Sequence, residues 1–198
     1  MQASVRHKRY IVHPYKFNLW LAIMAIVMMF AAFTSAYIVQ RHDINNWILI
    51  QLPQMFTYST IVIIASSISM QLSYVMFKRN RIDLYRLCIT ITCLLGALFL
   101  VLQINGWQQL VQSGILLSGN VAGSFVFVIS GAHFLHVAGG VVALIIFSVR
   151  AFTMYKTPED TLLLNIHPDQ QTGVELMATY WHFVGFLWIY LFIFFNVN

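Results

Sequence analysis

Long apolar runs separated by short polar connections set the pattern of this chain. Five runs stand out, near Phe17–Val39, Pro53–Phe77, Leu84–Ile104, Val121–Val149 and Val174–Phe195. Each is of the length needed to cross a hydrocarbon core of roughly 30 Å, which takes about 20 helical residues. None shows the alternation over about ten residues that a membrane barrel requires. Backbone groups inside lipid must be satisfied within the segment, which leaves helices. The pattern therefore predicts an all-α fold, a polytopic membrane bundle of five transmembrane helices, with residues 1–198 forming a single transmembrane domain.

Composition agrees with that reading. The chain is 60% hydrophobic and only 9% charged, against about a quarter charged in an ordinary soluble domain. Its basic start, Met1 to Tyr10, is followed by an apolar run without a small-residue cleavage pattern, which reads as a retained span rather than a signal peptide.

Charge adds an orientation. Arg6, Lys8, Arg9 and Lys16 precede the first run; Lys78, Arg79, Arg81 and Arg86 follow the second; Arg150 and Lys156 follow the fourth. Only Arg41 falls on the other side. The positive-inside rule then places the N-terminus inside and the C-terminus outside. The same distribution accounts for the net charge of +5 without any nucleic-acid partner.

Within the runs, small and polar positions predict packing faces. Ala22, Ala25, Ala32 and Ala36 lie on one face of the first helix, and Ser59, Ser66, Ser69 and Ser73 on one face of the second. Small faces let membrane helices approach closely. Pro53 suits the first turn of a helix. The third run ends at Gln103-Ile104-Asn105-Gly106-Trp107, where Trp107 reads as an interfacial anchor, with a loop through Asn120. Cys88 and Cys93, five residues apart, fall on different helix faces and read as buried thiols. The connection from Arg150 to Gly173, with Glu159, Asp160, His167 and Asp169, is too short to be a domain.

Four ionisable residues inside the runs are candidates for chemistry. His133 and His136 sit three residues apart in Ser130-Gly131-Ala132-His133-Phe134-Leu135-His136-Val137, far from any charge. Glu175 opens the fifth run, in what reads as its first turn, where the helix dipole favours a carboxylate. His182 follows two turns later on the same face. A metal is the first role to weigh. An i,i+3 pair suits two ligands of one metal but not the two sides of a haem. Paired with His182, the offset is awkward: roughly 12 Å from the inner end of its helix, against roughly 20 Å for His136. No Cys, Asp or Glu matches that depth to complete a non-haem set. A transporter would show more buried ionisable groups and internal repeats. Satisfied helix packing, or contact with lipid or another subunit, remains open for all four residues.

Two motifs carry a resemblance. Ser130-Gly131-Ala132-His133-Phe134-Leu135-His136-Val137 resembles the [ST]-G-x-H-x-x-H-V element of subunit III of the haem–copper oxidases, the cytochrome c oxidase family. Gly173-Val174-Glu175, followed by Tyr180-Trp181-His182-Phe183-Val184, resembles that family's G-x-E…Y-W-H-F-V element. The two stand in consecutive runs in the family's order, and the likeness extends from about Phe17 onward. It is to the short, five-helix bacterial form.

The resemblance implies a subunit without haem or copper of its own. Those cofactors would lie in partner subunits I and II, within an oxidase that reduces oxygen and pumps protons. It implies stabilisation of subunit I, bound membrane phospholipid, support of proton uptake, a multi-pass place in the bacterial plasma (inner) membrane, and room for a larger respiratory supercomplex. His133, His136, Glu175 and His182 become lipid or subunit contacts. Two departures limit the transfer. The buried glutamate of the long forms has no counterpart around Ala25-Ile26-Val27, and the aspartate that often follows the Trp-His-Phe-Val element is Gly185 here. A quinol oxidase subunit III and a haem-bearing anchor of a quinone-linked dehydrogenase stand as alternatives.

Overall fold

The computed structural model describes residues 14–43, 50–117, 120–153 and 168–198. Within them the chain forms five α-helices: α1 (Pro14–Asp43), α2 (Gln54–Lys78), α3 (Ile82–Gln112), α4 (Val121–Thr153) and α5 (Pro168–Val197). All five are long and apolar enough to span a membrane. Arg6, Lys8, Arg9, Lys156, Glu159, Asp160 and His167 lie outside the described residues.

The buried positions follow a spacing that hydropathy does not reveal. On α2, Phe56, Ser59, Ile63, Ser66, Met70, Ser73 and Phe77 are buried. On α3 the buried series is Ile82, Tyr85, Ile89, Thr92, Gly96, Phe99, Gln103, Gly106 and Leu110. On α5, Val174, Met177, Trp181, Val184, Trp188, Leu191 and Phe195 repeat it. Alternating steps of three and four keep one seam turned toward a partner and produce left-handed crossings near 20°. α2 and α3 use this seam as an antiparallel hairpin. Ser66 Oγ donates to the Thr92 carbonyl at 3.2 Å and Ser69 Oγ to the Cys88 carbonyl at 3.0 Å. The serine face predicted for α2 is thus a packing face.

The hairpin turn has its own cause. Asn80 takes a left-handed φ of 56°, the Arg81 N–H bonds the Met76 carbonyl and the Asn80 N–H bonds the Phe77 carbonyl, both at 3.0 Å. This is a Schellman cap closed by asparagine. Gly114, φ 81°, closes α3 in the same way, with bonds to Val111 and Leu110.

α5 lies against the other four helices. Trp181 and Trp188 reach α2 by donating to Ser66 Oγ (3.0 Å) and Thr60 Oγ1 (2.9 Å). Its Tyr180 hydroxyl reaches α4, donating to the His136 carbonyl at 2.9 Å. α1 runs parallel to α5 and is tied along its length: Lys16 to Glu175 (2.8 Å), Tyr190 to Thr34 (3.2 Å), and Arg41 to Asn198 (3.0 Å). These pairings put Lys16, Lys78, Arg79, Arg81, Arg86 and Arg150 at one end of the bundle and Arg41 at the other.

Three expectations need correction. The alanine face of α1 does not pack within the chain: Ala22, Ala25, Ala32 and Ala36 are all exposed, and the helix buries Ile23, Phe30, Thr34 and Tyr37 instead. α3 does not end near Ile104 but continues to Gln112. Trp107 lies in the last two turns of that longer helix, where its indole N–H donates to Ser130 Oγ at 3.0 Å and its ring packs on Phe134. α5 begins at Pro168, so Glu175 lies about two turns inside the helix. Its charge is met by Lys16 rather than by the helix dipole.

Candidate functional site

The two motifs meet where α4 crosses α5. Gly140 on α4 and Gly96 on α3 form a slot for Trp181. A Cβ on Gly96 would stand 2.8 Å from Trp181 Cη2, and one on Gly140 would stand 2.9 Å from Trp181 Cζ3. Only glycine admits the indole there. Gly131 and Gly139, which flank the histidines, face open space.

His133 is wholly buried, 0% exposed. Its ring stacks on Trp188 with centroids 5.1 Å apart and planes at 29°. Phe30 of α1 and Phe99 of α3 meet it edge-on at 6.4 Å and 5.9 Å. Trp188 in turn stacks on Phe56 of α2 at 5.8 Å. One imidazole thus touches α1, α3 and α5 and, through Trp188, α2. It has no surface left for lipid or another subunit.

His136 differs. Three residues along a helix turn the side chain by about 60° from its starting direction, enough to leave His136 half-buried. Its Nδ1 lies 2.7 Å from the Ala132 carbonyl. A carbonyl only accepts, so Nδ1 carries the proton and Nε2 is the acceptor of the neutral ring.

His182 turns to α2, not α4. Its Nδ1 lies 2.5 Å from Ser67 Oγ and its Nε2 3.0 Å from Gln71 Oε1. With the amide oxygen assigned to that side, Nε2 donates and the serine hydroxyl donates to Nδ1. The longer α5 also changes the depth argument. His182 is about 21 Å from the start of its helix and His136 about 26 Å from the end of its own. Direction, rather than depth, keeps these histidines from facing one another.

Glu175 and Lys16 form an ion pair at 2.8 Å, their side chains 42% and 37% exposed. Half-exposed pairs of this kind contribute about 1 kcal/mol or less in water. Cys88 and Cys93 are free thiols, each half-buried. Among the described residues, no three of His, Cys, Asp and Glu cluster closely enough to share a metal ion.

Sequence reasoning missed Gln103, Trp107 and Trp188 as members of this centre. A glutamine just inside the end of the third apolar run was the available signal for the first. Gln103 is 0% exposed and its amide donates to Ser59 Oγ at 2.9 Å.

The sequence of the chain is similar to those of known proteins. Residues 2–197 match the family model described as cytochrome c oxidase subunit III. Cytochrome c oxidase subunit 3 of Corynebacterium diphtheriae is 34% identical over 68% of this chain, and the match spans 60% of that relative's length. A probable cytochrome c oxidase subunit 3 of Nocardia farcinica is 30% identical, covering 88% of this chain and 82% of the relative. Cytochrome bo(3) ubiquinol oxidase subunit 3 of Buchnera aphidicola is 24% identical over 92% of this chain and 93% of its own. This family match displaces the dehydrogenase-anchor alternative. The chain belongs to the cytochrome c oxidase subunit III family.

Proposed function

We propose that this chain is the non-redox third subunit of a proton-pumping haem–copper terminal oxidase in a bacterial plasma membrane. Subunits I and II hold the haem and copper, and the electron donor is cytochrome c. The chain stabilises subunit I, binds phospholipid and supports proton uptake. Residues 1–198 act as one transmembrane domain, with the basic end of the bundle inside.

One observation supports the non-redox part: each motif histidine is engaged within this chain, His133 by ring packing alone and His136 and His182 by hydrogen bonds. His133 is enclosed by rings, His136 is held by the Ala132 carbonyl, and His182 is held on both nitrogens. Of the four candidate residues, His133 serves to anchor α5 against α4. His136, Glu175 and His182 keep exposed surface and are the ones that meet lipid or a neighbouring subunit. The end-to-end match with a ubiquinol oxidase subunit favours a second reading in one respect, quinol as the donor.

Affinity purification of the tagged full chain in mild detergent is expected to bring down haem- and copper-bearing chains. Their mass-spectrometric identity separates a cytochrome c oxidase from a quinol oxidase. The isolated chain is expected to show no Soret band, and a band belonging to it would overturn the non-redox assignment.

Alanine substitution of His133, His136, Glu175 and His182 tests their roles in the assembled oxidase. His182→Ala is expected to cost about 1 kcal/mol, as interhelical hydrogen bonds in lipid do, read as a lowered melting temperature. Glu175→Ala and His136→Ala are expected to leave the initial rate intact and shorten the number of turnovers before inactivation. Unchanged assembly and unchanged durability in all four variants would refute the contact roles.

A further inference from the structure

We infer that one buried water molecule bridges Gln103 of α3 and His133 of α4, linking α2, α3 and α4 through a polar bridge sealed inside the bundle. The inference does not rest on the oxidase reading.

It begins with two orphaned groups. Gln103 Oε1 and both ring nitrogens of His133 are buried without a hydrogen-bond partner in the chain. A neutral imidazole must present one N–H and one bare nitrogen, so His133 buries an unmet donor and an unmet acceptor. Turning the Gln103 amide over does not help. The Ser59 hydroxyl already donates to the Phe56 carbonyl at 2.9 Å, so it has no second proton for an amide oxygen. Nε2 therefore faces Ser59 and Oε1 is the unmet atom. In the interior of a membrane bundle such groups are costly, and native structures satisfy them with protein or ordered water.

Two independent sets of contacts place the orphans at one level. Along α3, Phe99 meets the His133 ring, and Trp107, two turns further, donates to Ser130. Gln103 is midway between them, so the antiparallel α4 presents the segment from Ser130 to His133 beside it. From α2, Ser59 receives the Gln103 amide while the adjacent Thr60 receives the indole of Trp188, on which His133 stacks. Both orphans are thus tied to one short stretch of α2.

Water is the ligand this chemistry selects. One water can donate to Oε1 and either accept from the imidazole N–H or donate to the bare nitrogen, and bridging waters serve buried polar groups in this way. A metal ion is a poor match, since a neutral amide and a single imidazole supply neither the charge nor the ligand number to remove it from water.

A structure of the purified full-length protein, alone or in its complex, at a resolution that shows ordered water is expected to reveal density within hydrogen-bond distance of Gln103 Oε1 and a His133 nitrogen. A direct Gln103–His133 hydrogen bond, or no density between them, would overturn the bridge. Solid-state NMR of histidine-labelled wild-type protein gives a test free of mutational damage. A cross-peak between water protons and the His133 ring nitrogens is expected, and its absence would refute the site. As a third test, Gln103→Leu and His133→Phe are expected to lower the melting temperature singly, and the double variant by less than the sum. Additive losses would count against the bridge.

Discussion

A methyl group added at Gly96 or Gly140 is expected to destabilise the bundle by about 1–3 kcal/mol, the cost of overpacking a filled interior. The slot for Trp181 has no slack. Its indole is bounded by α3 on one side and α4 on the other, and its N–H is tied to Ser66 on α2. It cannot swing away from Gly96→Ala without losing that bond or striking Gly140. Emptying the slot is expected to cost more, about 3 kcal/mol or above for Trp181→Ala, because contacts to three helices are lost at once. The two effects should be coupled. In a Trp181→Leu background, Gly96→Ala and Gly140→Ala are expected to become nearly neutral, a coupling on the order of 1–3 kcal/mol. Reversible unfolding in mixed detergent micelles measures all these variants. Equal costs for the glycine substitutions with and without Trp181 would mean that the slot is not what holds α5 in place.

That slot shows what could be read from the sequence. The spans were legible because lipid imposes a simple demand, a long apolar helix. The chemistry of the motifs was legible too, because His133, His136, Glu175 and His182 stand out in an apolar setting. The inner face of each helix was not. In water an apolar stripe marks the core, but in lipid the outward side is as apolar as the inward one. Leu94 and Leu98 of α3 are exposed while Gly96 and Phe99 are buried, and hydropathy cannot separate them.

Size is a weaker guide than it looks. The serines of α2 pack inward, whereas the alanines of α1, at comparable spacings, face out. Hydrogen bonding separates part of the two sets: Ser66 and Ser69 donate to backbone carbonyls of α3 and Ser66 also accepts from the Trp181 indole, whereas alanine offers nothing of the kind. Partner choice was illegible for a further reason. Glu175 and His182 share a helix face, yet the long Lys16 side chain takes the first to α1 while the second meets α2. Spacing gives the direction of a side chain from its own helix, not which neighbour stands there.

Trp188 provides the sharper test of the His133 centre. Trp188→Ala is expected to cost about 3–5 kcal/mol. It removes the stack between Phe56 and His133, the edge contact with Phe99, and the donor to Thr60. Trp188→Phe is expected to cost only about 1 kcal/mol. A phenyl ring keeps the stack, and Thr60 keeps its own bond to the Phe56 carbonyl at 2.8 Å. The difference between the two variants isolates ring packing from the indole hydrogen bond, and near-equal costs would show that the bond dominates. The alanine variant also leaves a cavity lined by Phe56, Phe99 and His133. Mostly apolar cavities of that size accept small aromatic molecules, so added indole is expected to raise the melting temperature of Trp188→Ala and leave wild type unmoved. If indole restores stability, α5 is positioned by the volume of one ring against His133. In the assembled oxidase the same variant should then lose retention of the subunit before it loses intrinsic rate.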